Sequence, residues 1–121
     1  MIKIQKEFQD ECIIYNFTES DETNDLDRIT EIIEEDSDRA YAFILNFEYI
    51  KQLNLKTVTA LNELYVDCVK NACEMIICGL NTQPALMMEI LRTNKLYRVE
   101  STLQAALQTF KEGNTNAFYS N

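Results

Sequence analysis

Phe43-Ile44-Leu45-Asn46-Phe47 is a nearly unbroken apolar run, and one short polar loop separates it from the longest amphipathic pattern in the chain. A run without polar alternation has no side suited to water, so it predicts a strand covered on both faces, as at the centre of a parallel sheet. Beyond the loop, Leu55, Val58, Leu61, Tyr65, Cys68 and Ala72 recur at spacings of three and four. They fall on one face of a helix and leave Lys56, Glu63, Asp67 and Lys70 elsewhere. Asn54 is the expected N-cap, because its side-chain oxygen can accept from the free amides of the first turn. A buried strand leading into a capped helix is the repeating unit of α/β sheets, and such junctions are where those folds hold their sites.

The rest of the chain repeats the unit. Ile2 to Phe8 suggests an edge strand and Cys12 to Phe17 a stronger one, with Gln9-Asp10-Glu11 short enough for a hairpin. After the polar stretch Thr18 to Asn24 comes a helix with the stripe Leu26, Ile29, Ile32 and Ile33, capped by Thr23 or Asn24 and with Asp25 and Asp27 at its positive end. The central strand and its helix follow, then a strand over Met75 to Cys78, where Gly79 lets the chain turn away. Thr82 and Pro84 begin a helix whose expected buried side is Leu86, Met87, Ile90 and Leu91. Leu96 to Val99 reads as a last strand and Thr102 to Phe110 as a last helix, ended by Gly113. Residues 1–113 therefore form one α/β domain, a mixed sheet of four or five strands packed with about four helices, and 114–121 a loose tail. Strand order is beyond what periodicity can give.

A chain of 121 residues with 46% apolar and 26% charged residues has the proportions of one soluble domain with its own core. No run approaches the roughly 20 apolar residues of a membrane span. The start, Met-Ile-Lys-Ile-Gln-Lys-Glu, lacks a signal peptide's apolar core, so the expected location is the cytoplasm. The net charge of −9 is lopsided: through Asp38 there are 13 acidic residues against 3 basic, and from Arg39 onward 7 against 8. That distribution repels nucleic acid and anionic membrane and leaves room for a basic protein partner, although a solvated acidic helix face accounts for it more simply.

Catalytic chemistry finds little to work with. The chain has no histidine, which removes the commonest general base and any mixed Cys/His metal site. Cys12, Cys68, Cys73 and Cys78 contain no Cys-x-x-Cys pair and read as small hydrophobes in a reducing compartment. Asp21, Glu22, Asp25 and Asp27 crowd a polar helix start, where solvated charge is the expected state, and nothing in the sequence locates a buried or like-charged carboxylate pair. Gly79 and Gly113 stand alone, so no glycine-rich phosphate loop exists. Neither a metal nor a cofactor is expected, although a nucleotide or small ligand near Asn54 stays open.

Cys78-Gly79-Leu80-Asn81, continuing through Glu89-Ile90 to Asn94-Lys95-Leu96-Tyr97, resembles without a gap the CGLSP...LLEL...LDKLF segment of STAS domains, the family named for sulphate transporters and anti-sigma-factor antagonists. Phe43 to Phe47 is similar to that family's VLDLS strand. The resemblance implies a regulatory protein-binding module with a sheet backed by helices. In bacterial members an anti-sigma factor that is also a kinase binds the module and phosphorylates a serine in a DSSGL motif at the start of the second helix. Here Asn54 takes the aspartate's place, Leu55 that of the phosphorylated serine, Lys56 that of the second serine and Thr57 that of the glycine.

By the same resemblance, Lys51, Asn54, Leu55, Lys56, Thr57 and Thr59 occupy the partner-binding position, with the usual hydroxyl absent. Thr57 is the candidate for a displaced phosphosite, since a phosphate there would meet free helix amides. The implied partner is an anti-sigma factor of the switch-kinase type, or a membrane transport ATPase to which the module is an accessory. Nothing in the pattern separates a monomer from a homodimer.

Overall fold

The computed structural model describes residues 2–9, 12–19, 31, 33, 35–36, 42–93 and 96–110. Five strands, β1 Ile2–Gln9, β2 Cys12–Glu19, β3 Ala42–Asn46, β4 Glu74–Cys78 and β5 Arg98–Glu100, form one sheet in that order. β1 runs antiparallel to β2 and the other neighbours are parallel. Three helices are described: α1 Leu55–Lys70, α2 Thr82–Ile90 and α3 over 103–110. Residues 31, 33 and 35 are also helical. The predicted turn residues Asp10 and Glu11, the cap and stripe residues Thr23, Asn24, Leu26, Ile29 and Ile32, and Gly113 with the tail lie outside the described residues.

Strand geometry explains the two cores. Successive side chains point to opposite faces, so Ile13, Tyr15, Phe17, Phe43, Leu45, Met75 and Ile77 pack on one side against Val58, Leu61, Leu64 and Cys68 of α1 and Met88 of α2. Cys12, Ile14, Ala42, Ile44, Ile76 and Cys78 face the other way, onto Ala106 and Phe110 of α3. Every residue of β3 is buried, as a strand covered on both faces requires. Lys6 and Tyr15, paired across β1 and β2, both reach the buried carboxylate of Asp36, at 3.0 and 2.6 Å.

Several boundaries differ from the sequence reading. β3 ends at Asn46, and Phe47 follows it with its amide donating to the Cys78 carbonyl at 3.0 Å. The buried line of α1 is Thr57, Val58, Leu61, Leu64 and Cys68, while Leu55 and Ala72 at the two ends face water. Ala72 lies beyond the helix at φ 55, and the bonds Ala72 N to Val69 O and Cys73 N to Cys68 O close a Schellman cap. The last strand begins at Arg98, leaving Leu96 exposed and Tyr97 buried edge-on against Tyr65.

The largest correction concerns α2. Its buried residues are Pro84 and Met88, whereas Leu86, Ile90 and Leu91 are exposed and Met87 is half-buried. Apolar residues sit on nearly every side of this nine-residue helix. Periodicity therefore had no contrast from which to choose the inward face.

Candidate functional site

The parallel strands β3 and β4 end together at Asn46 and Cys78, level with Asn16 of β2, which runs on beside β1 to Glu19, and from the carboxyl end of β3 the chain leaves the sheet through residues 47–54 and enters α1. Phe47, Ile50 and Leu53 are buried, and the Phe47 ring stacks on Phe17 at 4.6 Å. Glu48, Tyr49, Lys51 and Gln52 between them, and Asn54 after them, are exposed. The alternation anchors the loop and presents a row of polar side chains.

Asn46 is the polar hub beneath it. Its Nδ2 donates to Asn16 Oδ1 at 2.9 Å and to Glu48 Oε1 at 3.2 Å, while its Oδ1 accepts from the Glu48 amide at 3.2 Å and from Cys78 Sγ at 3.7 Å. A buried amide costs free energy unless it is satisfied, and this one is satisfied by groups from two neighbouring strands and the loop. Gly79 crosses close above it at φ +72, where an added Cβ would lie 2.9 Å from Asn46 Oδ1 and 3.0 Å from the Glu48 backbone nitrogen.

Two side chains at the start of α2 clamp the loop. Asn81 Nδ2 donates to the carbonyls of Glu48 at 3.0 Å and Ile50 at 2.8 Å. Asn81 is the N-cap residue of α2 yet makes no side-chain cap bond, and its Nδ2 is spent on the loop. Gln83 binds Leu53 on both sides, accepting from its amide at 2.8 Å and donating to its carbonyl at 3.0 Å. That pair of bonds treats Leu53 as a strand would and fixes the residue just before the cap of α1.

Asn54 caps α1 as its residue type predicts, with Oδ1 accepting from the Thr57 amide at 2.8 Å. Leu55 is the first helical residue and is 61% exposed, whereas Leu53, two positions earlier, is buried. Lys51 and Lys56 are exposed. Thr57 is only 4% exposed, its side chain lying in the inward line of the helix. Thr59 is exposed and its hydroxyl donates to the Leu55 carbonyl at 2.9 Å. The sequence-derived set is therefore brought together on one surface with Thr57 turned beneath it. The clamps Asn81 and Gln83 and the hub Asn46 were missed. The one available signal was Asn46 itself, an amide inside an apolar strand.

Burial pushes the Cys78 thiol up to about 12, with Glu48 and Glu100 adding to the effect, so it stays protonated at neutral pH. Cys68, at the far end of α1, is likewise pushed up to about 12, chiefly by burial. Among the described residues, no group of His, Cys, Asp and Glu side chains is arranged to hold a metal ion, and no helix is long and apolar enough to cross a membrane. What the arrangement offers is a pinned, solvent-facing loop and helix start, a surface for contact.

Known proteins share this architecture. An anti-sigma factor antagonist from Mycobacterium paratuberculosis is similar at a TM-score of 0.76 and 16% identity, over 90% of this chain and 93% of that one. A serine-to-glutamate variant of RsbS from Moorella thermoacetica is similar at a TM-score of 0.79 and 11% identity, over 93% and 98% of the two chains. At such identities the likeness is one of fold. No curated protein matches the chain. The family model described as STAS domain matches residues 3–106, which takes in the five-stranded sheet apart from Ile2 together with the clamped loop, and the chain accordingly belongs to the STAS domain family.

Proposed function

We propose that this chain is a non-enzymatic regulatory module of the anti-sigma-factor-antagonist type, which binds a protein partner through Lys51, Asn54, Leu55, Lys56 and Thr59 without a serine phospho-switch. The observation that carries the reading is Leu55. It stands at the position that resembles the family's phosphorylated serine, is the first residue of α1, and is exposed there with no hydroxyl to modify. Thr57, the candidate for a displaced phosphosite, has its side chain packed inward, and the Thr59 hydroxyl is bonded to its own helix. Docking and covalent switching, joined in the family's pattern, are thus separated here.

The test uses purified switch-kinase-type anti-sigma factors and transport ATPases encoded by the same genome. Binding is measured by calorimetry, then phosphate uptake from ATP by intact mass and site mapping. Wild type is expected to bind one of these proteins and to take up no phosphate, while Leu55→Ser becomes a substrate and loses affinity once modified. Stoichiometric phosphate on wild-type Thr57 or Thr59 overturns the switch-free reading. Binding to the ATPase alone assigns the module to transport.

A further inference from the structure

Leu55 is not isolated. With Gln83, Leu86, Met87, Ile90 and Leu91 it lines a groove of about 210 Å³ between the start of α1 and the outer side of α2. Leu86 and Ile90 are 52% and 70% exposed, so large aliphatic side chains stand open to water side by side here. A sizeable apolar patch on a soluble domain marks a contact surface.

The groove is continuous with the proposed partner-binding segment in two ways. Leu55 belongs to both, and Gln83 lines the groove while holding the Leu53 backbone through its paired hydrogen bonds. On α1 the line goes on from Leu55 through Thr59, Asn62 and Val66 to Val69, spaced four, three, four and three, with Val66 and Val69 exposed. That alternation is the seam a second helix matches, and at about 1.5 Å per residue it extends about 21 Å along the axis. Asn62, with Thr59 one of the seam's two polar residues, has a side-chain oxygen shut off from solvent and without a hydrogen-bond partner.

Charge selects the occupant. No acidic side chain lines the groove, in a chain whose net charge is −9. Exposed Lys56 and Arg92 directly follow the lining residues Leu55 and Leu91, exposed Lys51 precedes the helix, and along the α1 seam exposed Lys56 and Lys70 share one flank with exposed Glu63 by helical rotation. Glu89 falls on the other flank of α2, with Thr82 and Ala85, by helical rotation.

We propose that the groove and the α1 seam seat an amphipathic helix of the protein partner, with large apolar residues along one face and Asp or Glu on its flanks. The proposal rests on the partner-binding reading above and specifies the partner's chemistry. Leu55 then serves as an apolar anchor where the family's pattern has its switch serine.

Selection of a randomised helical-peptide library on phage against the full chain tests this. Enriched peptides are expected to carry apolar residues at spacings of three and four with acidic flanks. They should lose about ten-fold or more in affinity for Ile90→Asp and for Val66→Asp, with circular dichroism unchanged. Basic flanks, affinity indifferent to Ile90→Asp, or no groove-dependent enrichment overturns the proposal. A dimer in sedimentation equilibrium that Ile90→Asp dissolves also overturns it, by making a second copy the occupant. If groove-binding peptides emerge but no switch kinase or ATPase binds, the partner assignment fails and the groove stands. A kinase that binds Ile90→Asp as tightly as wild type gives the reverse.

Discussion

Gly79→Ala probes the point where the sheet meets the presented loop. The wild-type residue sits at φ +72, a region that costs an L-residue about 1 to 2 kcal/mol. The new methyl group would stand 3.0 Å from both Glu48 Cβ and the Glu48 backbone nitrogen and 2.9 Å from Asn46 Oδ1, so the loop or the amide must move. Moving either breaks the 3.2 Å bond from the Glu48 amide to Asn46 Oδ1 and leaves a buried acceptor short of a partner, a further cost of about 1 to 3 kcal/mol. The smaller entropy of the unfolded chain returns about 0.4 to 1 kcal/mol. The net expectation is a loss of about 1 to 4.5 kcal/mol, centred near 3, or a fall in Tm of roughly 10 °C for a chain of this size. Urea unfolding followed by circular dichroism measures it, with Gly79→Asn as the companion. Asparagine tolerates the left-handed region but meets the same atoms, so the difference between the variants separates backbone strain from crowding. A Gly79→Ala protein within about 0.5 kcal/mol of wild type would refute the close approach of residue 79 to the Asn46 hub.

Ile44→Ala and Leu61→Ala empty core positions on β3 and α1 and should each cost about 2 to 5 kcal/mol in urea unfolding, whereas Ile90→Asp should stay within about 0.5 kcal/mol. Equal losses for all three would show that α2 packs with its other side inward. Thiol labelling of the native protein at pH 8 should modify half-buried Cys73 first, with Cys12, Cys68 and Cys78 reacting only on unfolding, and early modification of Cys78 would contradict its burial. Because burial holds the Cys68 and Cys78 thiols at about 12 against an ordinary 9.0, folding favours their neutral forms. Their contribution is complete below about pH 9 and is lost as the pH rises towards 12. The urea midpoint should therefore fall between pH 8.5 and 10.5, and a rise would reverse the assignment.

Residues 43–47 and the Asn54 cap were legible in the sequence because both are local: an apolar run needs no partner to declare itself buried, and a cap is satisfied within three residues. Strand order, the inward face of α2 and the clamps made by Asn81 and Gln83 were decided only by tertiary structure. Asn81 and Gln83 reach backbone about 30 residues away in the chain, to Ile50 and Leu53, and no spacing rule encodes such a contact. For α2 the reason is geometric. A short helix with apolar residues all round can bury only the side its connections turn towards the sheet, so Pro84 and Met88 went inward and Leu86 and Ile90 were left facing water.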